Sequence, residues 1–166
     1  MAPSLQADLK GTRVAEQERT LVIIKPDGVQ RALIGEIIKR LEQRGLRILG
    51  LRLDHIDRAT AQTHYAEHEG KGFYEALVSY IISGPSVTMV LEGPDAIAVT
   101  RATVGSTRPA EAAPGTIRAD YGLTVGRNLI HASDSVESSR REVALFFGGG
   151  PLPTYERSVD RWIFDA

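Results

Sequence analysis

Four consecutive apolar residues, Leu21-Val22-Ile23-Ile24, stop abruptly at Lys25-Pro26-Asp27-Gly28. So short a run, rich in β-branched side chains and ended by proline and glycine, reads as a buried strand feeding a turn, with Lys25 at the strand end. Leu33, Ile34, Ile37, Ile38 and Leu41 then recur at helical spacing before Gly45, which predicts an amphipathic helix over 33–44 closed by that glycine. Leu49, Leu51 and Leu53 alternate with Gly50, Arg52 and Asp54, the period of two expected of a strand with one wet face. Asp57 is placed to cap a helix carrying Thr63 to His68, and Phe73, Leu77, Val78, Ile81 and Ile82 give a second helical stripe; together they predict a helical hairpin. Further on, the pattern predicts a strand over 87–91, a helix over 97–104, a short strand over 128–132 and a last helix over 136–147 capped from Ser133-Asp134-Ser135. Between them, 105–126 reads as a long turn-rich connection of the kind that usually carries function. Alternating strands and helices mean α/β or α+β, with strand order and direction left open.

The ends differ from this middle. Residues 1–18 are polar, lack steady periodicity and are broken by Pro3 and Gly11, so they are expected to form a disordered leader, with 19–166 as a single domain. At 166 residues a chain buries roughly 70% of the surface its unfolded form exposes, enough for a core without staples. There is no cysteine, which excludes thiolate metal sites, iron-sulfur clusters and cysteine nucleophiles, and makes the cytoplasm the expected compartment. With 20 basic and 21 acidic side chains no global field draws the chain to nucleic acid or to an anionic membrane, so neither is an expected partner. Any phosphate ligand has to be held by a local cage. No apolar run approaches the roughly 20 residues of a membrane span.

Three constellations carry possible chemistry. His64-Tyr65-Ala66-Glu67-His68 fits the H-x-x-E-H pattern of zinc peptidases, in which two histidines on one helix face ligate Zn²⁺ and Glu67 is the general base; its plain alternative is a solvated helix end. His131 ends a strand just before a helix N-terminus, where backbone N–H groups stabilise anionic charge and an imidazole can act as base or nucleophile. The competing account makes it a core residue satisfied by Ser133. Lys25, Arg101, Thr107 and Arg118 all fall at element ends or turns, as a polyphosphate cage needs, although scattered surface ion pairs produce the same list. The triglycine 148–150 lacks the lysine of a phosphate loop and reads as a connector.

In order along the chain, ERTLVIIKPDGVQR at 18–31, GEIIKRLEQRG at 35–45, SGP at 83–85, PGTIRAD at 114–120 and NLIHASDSVES at 128–138 resemble the nucleoside diphosphate kinase family. The resemblance implies an α+β fold: a ferredoxin-like βαββαβ core with an antiparallel four-stranded sheet, a helical hairpin walling the nucleotide cleft and a C-terminal extension. It also implies a homo-oligomer, hexamer favoured over tetramer, and ping-pong transfer of a γ-phosphate from nucleoside triphosphate to nucleoside diphosphate through a phosphohistidine. By position, His131 matches the nucleophile, and Glu142 with Ser133 the pair that orients it. Lys25, Tyr65, Arg101, Thr107 and Arg118 match phosphate contacts, and Lys25 and Asn128 sugar contacts. Phe73 and Val125 match the faces that sandwich the base, with Leu77 lining the same cleft. Asp134 matches a residue linked through water to the Mg²⁺ that arrives with the nucleotide. A nucleotide-binding regulatory protein with impaired catalysis and the zinc peptidase are the alternatives from other classes. Ala132 stands where the family mostly has glycine; it strains the nucleophile's segment if φ there is positive and fits freely if φ is negative.

Overall fold

The computed structural model describes residues 17–164. Strand β1 (Gln17–Ile24) is followed by the short helix α1 (Pro26–Gln30), helix α2 (Ile34–Gln43) and strand β2 (Arg47–Asp54). Helices α3 (Arg58–His64) and α4 (Tyr74–Ile81), with a 3-10 turn Ala66–His68 between them, make the hairpin. Strand β3 (Ser86–Pro94), helix α5 (Ala96–Val104), the short helix α6 (Ile117–Tyr121), strand β4 (Ile130–Ala132) and helix α7 (Val136–Phe147) complete the order.

The four strands lie in the order β2-β3-β1-β4, and every neighbouring pair is antiparallel. β1 is therefore central, which explains its unbroken apolar run: Val22 and Ile24 face one layer while Leu21 and Ile23 face the other. The first layer packs Ile37 and Leu41 of α2 with Ala96 and Val104 of α5; the second packs Ala61 of α3, Val78 and Ile81 of α4 and Phe146 of α7. The fold is α+β with the expected antiparallel sheet. None of the helices among the described residues is long and apolar enough to cross a membrane.

Local chemistry sets the boundaries. Asp57 caps α3, accepting from the Thr60 amide at 2.8 Å, and Ser135 and Ser138 form a reciprocal box at the start of α7, satisfying N–H groups that have no partner inside a helix. After α2, Gly45 takes a φ of 91°, and a Cβ there would meet Ile163 at 2.6 Å, so glycine is needed both for the left-handed turn and for the returning tail.

The structure also departs from the sequence pattern. Lys25-Pro26-Asp27-Gly28 is more than a turn, because Pro26 sits at the first position of α1, where its missing N–H costs nothing. The connection 105–126 holds α6 and a 3-10 turn, with Thr116 accepting from the Ala119 amide. β1 reaches back to Gln17, so Gln17 and Glu18, expected in the leader, pair with Pro94 and Gly93; the rest of the expected leader, residues 1–16, lies outside the described residues. β4 begins at Ile130 rather than 128, because Leu129 has a φ of 72° and leaves the extended conformation.

Candidate active site

His131 is in the middle of β4, opposite Ile23 of β1. Strand alternation sends its neighbours Ile130 and Ala132 into the α2/α5 layer and turns the imidazole toward α3 and α7. There its Nε2 lies 3.0 Å from Oε1 of Glu142, a buried carboxylate on α7. The other carboxylate oxygen accepts from Ser133 Oγ at 2.6 Å, and that hydroxyl also accepts from the Leu21 amide of β1 at 3.1 Å. A carboxylate only accepts, so the ring proton resides on Nε2. Nδ1, left with its lone pair, has no hydrogen-bond partner among the described residues.

Lys25 follows β1 directly, which brings it beside β4. Its ammonium donates to Asn128 Oδ1 at 2.8 Å, and the Asn128 amide donates to the Thr107 carbonyl at 3.0 Å. Burial, reinforced by the nearby Arg118 charge, pushes the Lys25 pKa down to about 8. Arg118 on α6 is also buried, and burial pushes its guanidinium down to about 10. It donates to the carbonyls of Asn128, Gly105 and Ile130, so much of its fork holds the β4 approach in place. Asp134 accepts from Ser138 Oγ, and that bond holds its carboxyl below the ordinary range.

A cleft of about 760 Å³ opens over these groups. Lys25, Tyr65, Leu77, Arg101, Thr107, Arg118, Asn128, His131 and Asp134 line it, with Phe73 and Val125, each just over half exposed, at its mouth. Ser133 and Glu142 stand behind the histidine rather than in the cleft. A larger hollow of about 890 Å³ between the start of β1 and α7 contains neither a histidine nor a lysine, so of the two the smaller one brings His131 and Lys25 together. Tyr80 and Arg127 also line the cleft, the guanidinium lying 4.1 Å over the phenol ring. Neither was singled out in the sequence; Tyr80 falls seven residues after Phe73, a helical spacing that would have placed it beside Phe73 and Leu77.

The zinc-peptidase pattern is not assembled. α3 ends at His64, Tyr65 leaves the helical path, and His68 sits in the following 3-10 turn, so the two histidines do not share a helix face. His68 contacts Lys71 and the edge of Phe73. His64 instead turns inward: its ring is 4.6 Å from that of His131, edge to face, and burial pushes its pKa down to about 2. Nor does the backbone strain fall at Ala132. That residue lies within the β4 ladder opposite Val22 and is not among the described residues with positive φ; Leu129 is. The Leu129 amide donates to Asp27 and its carbonyl accepts from the Lys25 amide at 2.8 Å, which fixes this turn just before His131.

Comparison with known proteins gives a consistent picture. A family model described as nucleoside diphosphate kinase matches residues 18–151. A nucleoside diphosphate kinase of Thermomicrobium roseum is 59% identical over 146 residues, covering 88% of this chain and 98% of that protein. One of Archaeoglobus fulgidus is 55% identical over 148 residues, covering 89% and 98%. Among solved structures, a halophilic nucleoside diphosphate kinase from Halobacterium salinarum in complex with CDP superposes with a TM-score of 0.87 at 49% identity, covering 90% of this chain and all of that one. A nucleoside diphosphate kinase family protein from Babesia bovis gives 0.85 at 47% identity, covering 89% and 99%.

Proposed function

The chain belongs to the nucleoside diphosphate kinase family, and on that premise we propose that His131 is the side chain phosphorylated in its reaction. Its activity is that of the family, moving the γ-phosphate of a nucleoside triphosphate to a nucleoside diphosphate. The observation that carries the assignment is the hydrogen bond from His131 Nε2 to Glu142. It fixes the tautomer and leaves the Nδ1 lone pair for attack on phosphorus, so no separate base is required. In the first half-reaction the Nδ1–P bond forms as the bond from γ-phosphorus to the bridging oxygen breaks, and the diphosphate leaves. In the second, a terminal oxygen of the acceptor diphosphate takes the phosphoryl group and returns the neutral imidazole.

Phosphoryl transfer of this kind asks chiefly for alignment and charge neutralisation. Lys25, Arg101 and Arg118 supply positive charge, and Tyr65 and Thr107 supply polar contacts along the phosphate path. Asn128 and Lys25 hold the sugar end, while Phe73 and Val125 take the base between them with Leu77 below. Asp134, an oxygen ligand beside His131, suits a hard cation that keeps its waters and is bound mainly by phosphate. It would hold the nucleotide-borne Mg²⁺ through water, and that cation neutralises phosphate oxygens.

We extend the proposal to a cytoplasmic homo-oligomer, hexamer rather than tetramer. β2 is an edge strand whose Leu51 and Leu53 are 52% and 60% exposed, an apolar edge that a second copy can cover. Light scattering of the full chain measures the copy number.

Incubation with γ-labelled ATP tests the chemistry. Acid-labile, base-stable label is expected on the protein, discharged by GDP and absent from His131→Ala, which still binds ADP. Label of full stoichiometry on that variant would falsify the nucleophile assignment. A wild-type protein that binds ADP without acquiring label would be the regulatory protein instead.

A further inference from the structure

The transfer reaction makes no use of His64, although its buried ring lies 4.6 Å from that of His131. Neither of its ring nitrogens has a hydrogen-bond partner among the described residues, and its side chain is only 2% exposed. Buried polar atoms are normally paired, and an unpaired one calls for a reason such as an ion. Its Nδ1 lies 3.8 Å from Glu142 Oε1, the same oxygen that holds His131 Nε2 at 3.0 Å. One ligating atom from each of His64, His131 and Glu142 lies within 4.8 Å of the other two.

Two imidazoles and a carboxylate are a zinc-type donor set, with bonds of about 2.0 to 2.2 Å. Around a tetrahedral ion such bonds place ligand atoms roughly 3.3 Å apart, between the 3.0 and 3.8 Å that separate Glu142 from the two rings. Glu67 and His68, the other members of the sequence pattern, take no part in this trio.

We propose that His64, His131 and Glu142 form a site for a divalent transition-metal ion of the Zn²⁺ class, and that its occupation blocks phosphorylation of His131. A metal on Nε2 displaces the proton that nitrogen carries. The neutral ring then holds its proton on Nδ1, and the lone pair needed for attack on phosphorus is gone. The metal also takes the Glu142 oxygen that orients the ring. Mg²⁺ does not compete, because it prefers oxygen ligands and gives up its waters reluctantly. The site is thus an off switch that responds to borderline metals and ignores the ion arriving with substrate. Its blocking effect rests on His131 being the nucleophile; its metal binding does not.

The test begins without nucleotide. Chelator-treated protein is titrated with Zn²⁺ against a chromophoric chelator, and with Co²⁺ for the visible absorption of a tetrahedral centre. One ion per chain is expected, with Kd of about 10 μM or below. His64→Gln and His131→Gln should each weaken binding at least about tenfold and lose the cobalt spectrum, whereas His68→Gln should retain both. Zn²⁺ should then suppress labelling by γ-labelled ATP in excess Mg²⁺, and a chelator should restore it. Zn²⁺ binding weaker than about 1 mM, or unchanged in both His64→Gln and His131→Gln, overturns the site. Tight binding that leaves labelling untouched overturns the block. Absence of label in metal-free protein refutes the nucleophile assignment and with it the block, while the nucleotide-free titration still decides the site.

Discussion

Glu142 holds His131 from behind: its Oε1 lies 3.0 Å from the ring Nε2 while its Oε2 accepts from Ser133 at 2.6 Å. The carboxylate is thereby tied at both oxygens, once to the imidazole proposed as nucleophile and once to a hydroxyl anchored on β1. Glu142→Gln keeps the shape but loses the charge and one of the two acceptors. A hydrogen bond to a charged group is worth about 1.5 to 3 kcal/mol, so single-turnover phosphorylation should slow by roughly one to two powers of ten with ADP affinity little changed. An unaltered rate would remove Glu142 from the positioning role.

With Lys25 as the proposed phosphate contact, nucleotide binding is expected to depend on pH. Its pKa in the free fold is about 8, below the 10.5 of an unfolded lysine, so burying the ammonium costs stability below about pH 8 and that cost is relieved as pH rises toward 10.5. Phosphate acts in the opposite direction by favouring the charged form. ADP binding at about pH 9 should therefore take up a proton, and affinity should fall as pH climbs past about 8. Calorimetry in two buffers of different ionisation heat measures the uptake. Lys25→Met should abolish it, and a wild-type value of zero would mean that Lys25 does not meet phosphate.

Ala132 needs no freedom that only glycine has. Because it lies in the β4 ladder without positive φ, Ala132→Gly relieves nothing and enlarges the unfolded ensemble. It should lower stability by about 0.4 to 1 kcal/mol and leave phosphorylation within about twofold. Thermal unfolding and single-turnover labelling of the one variant check both halves, and a several-fold faster protein of equal stability would contradict them.

Phe73 and Val125, proposed to take the base between them, present ring and methyl surface without directional readout. Stacking on an aromatic ring is worth about 1 to 3 kcal/mol per base and tolerates any of them, so Phe73→Ala should raise KM for ADP, GDP, CDP and TDP by similar factors. The wild-type specificity constants should agree within about a thousandfold. A loss confined to purines, or a wider spread, would mean that some polar group reads the base edge.

Much of this architecture was legible locally. Helix 136–147 was placed to the residue, because a serine cap precedes an apolar stripe and a glycine follows it; Lys25, Arg101, Thr107, Arg118 and His131, which line one cleft, stood out by residue type and position, whereas Tyr65, Phe73, Leu77, Val125 and Asn128 were placed there by the family resemblance. The end of α3 was not. Capping chemistry marked its start at Asp57, but its end at His64 depends on the path the chain takes toward α4, and with it went the apparent pairing of His64 and His68.

The sequence by itself determined the central strand and the long helices and which face of each is apolar, because a period of 2 or 3.6 is written in neighbouring side chains. Tertiary structure alone decided what those faces meet. The antiparallel order β2-β3-β1-β4 set Lys25 beside β4, turned His131 toward Glu142, brought His64 in from the hairpin, and spent Arg118 on three backbone carbonyls. It also put the left-handed backbone at Leu129 rather than at Ala132. The physical reason is that burial rewards any apolar partner equally, whereas hydrogen bonds and dihedral angles are fixed only once distant segments have packed.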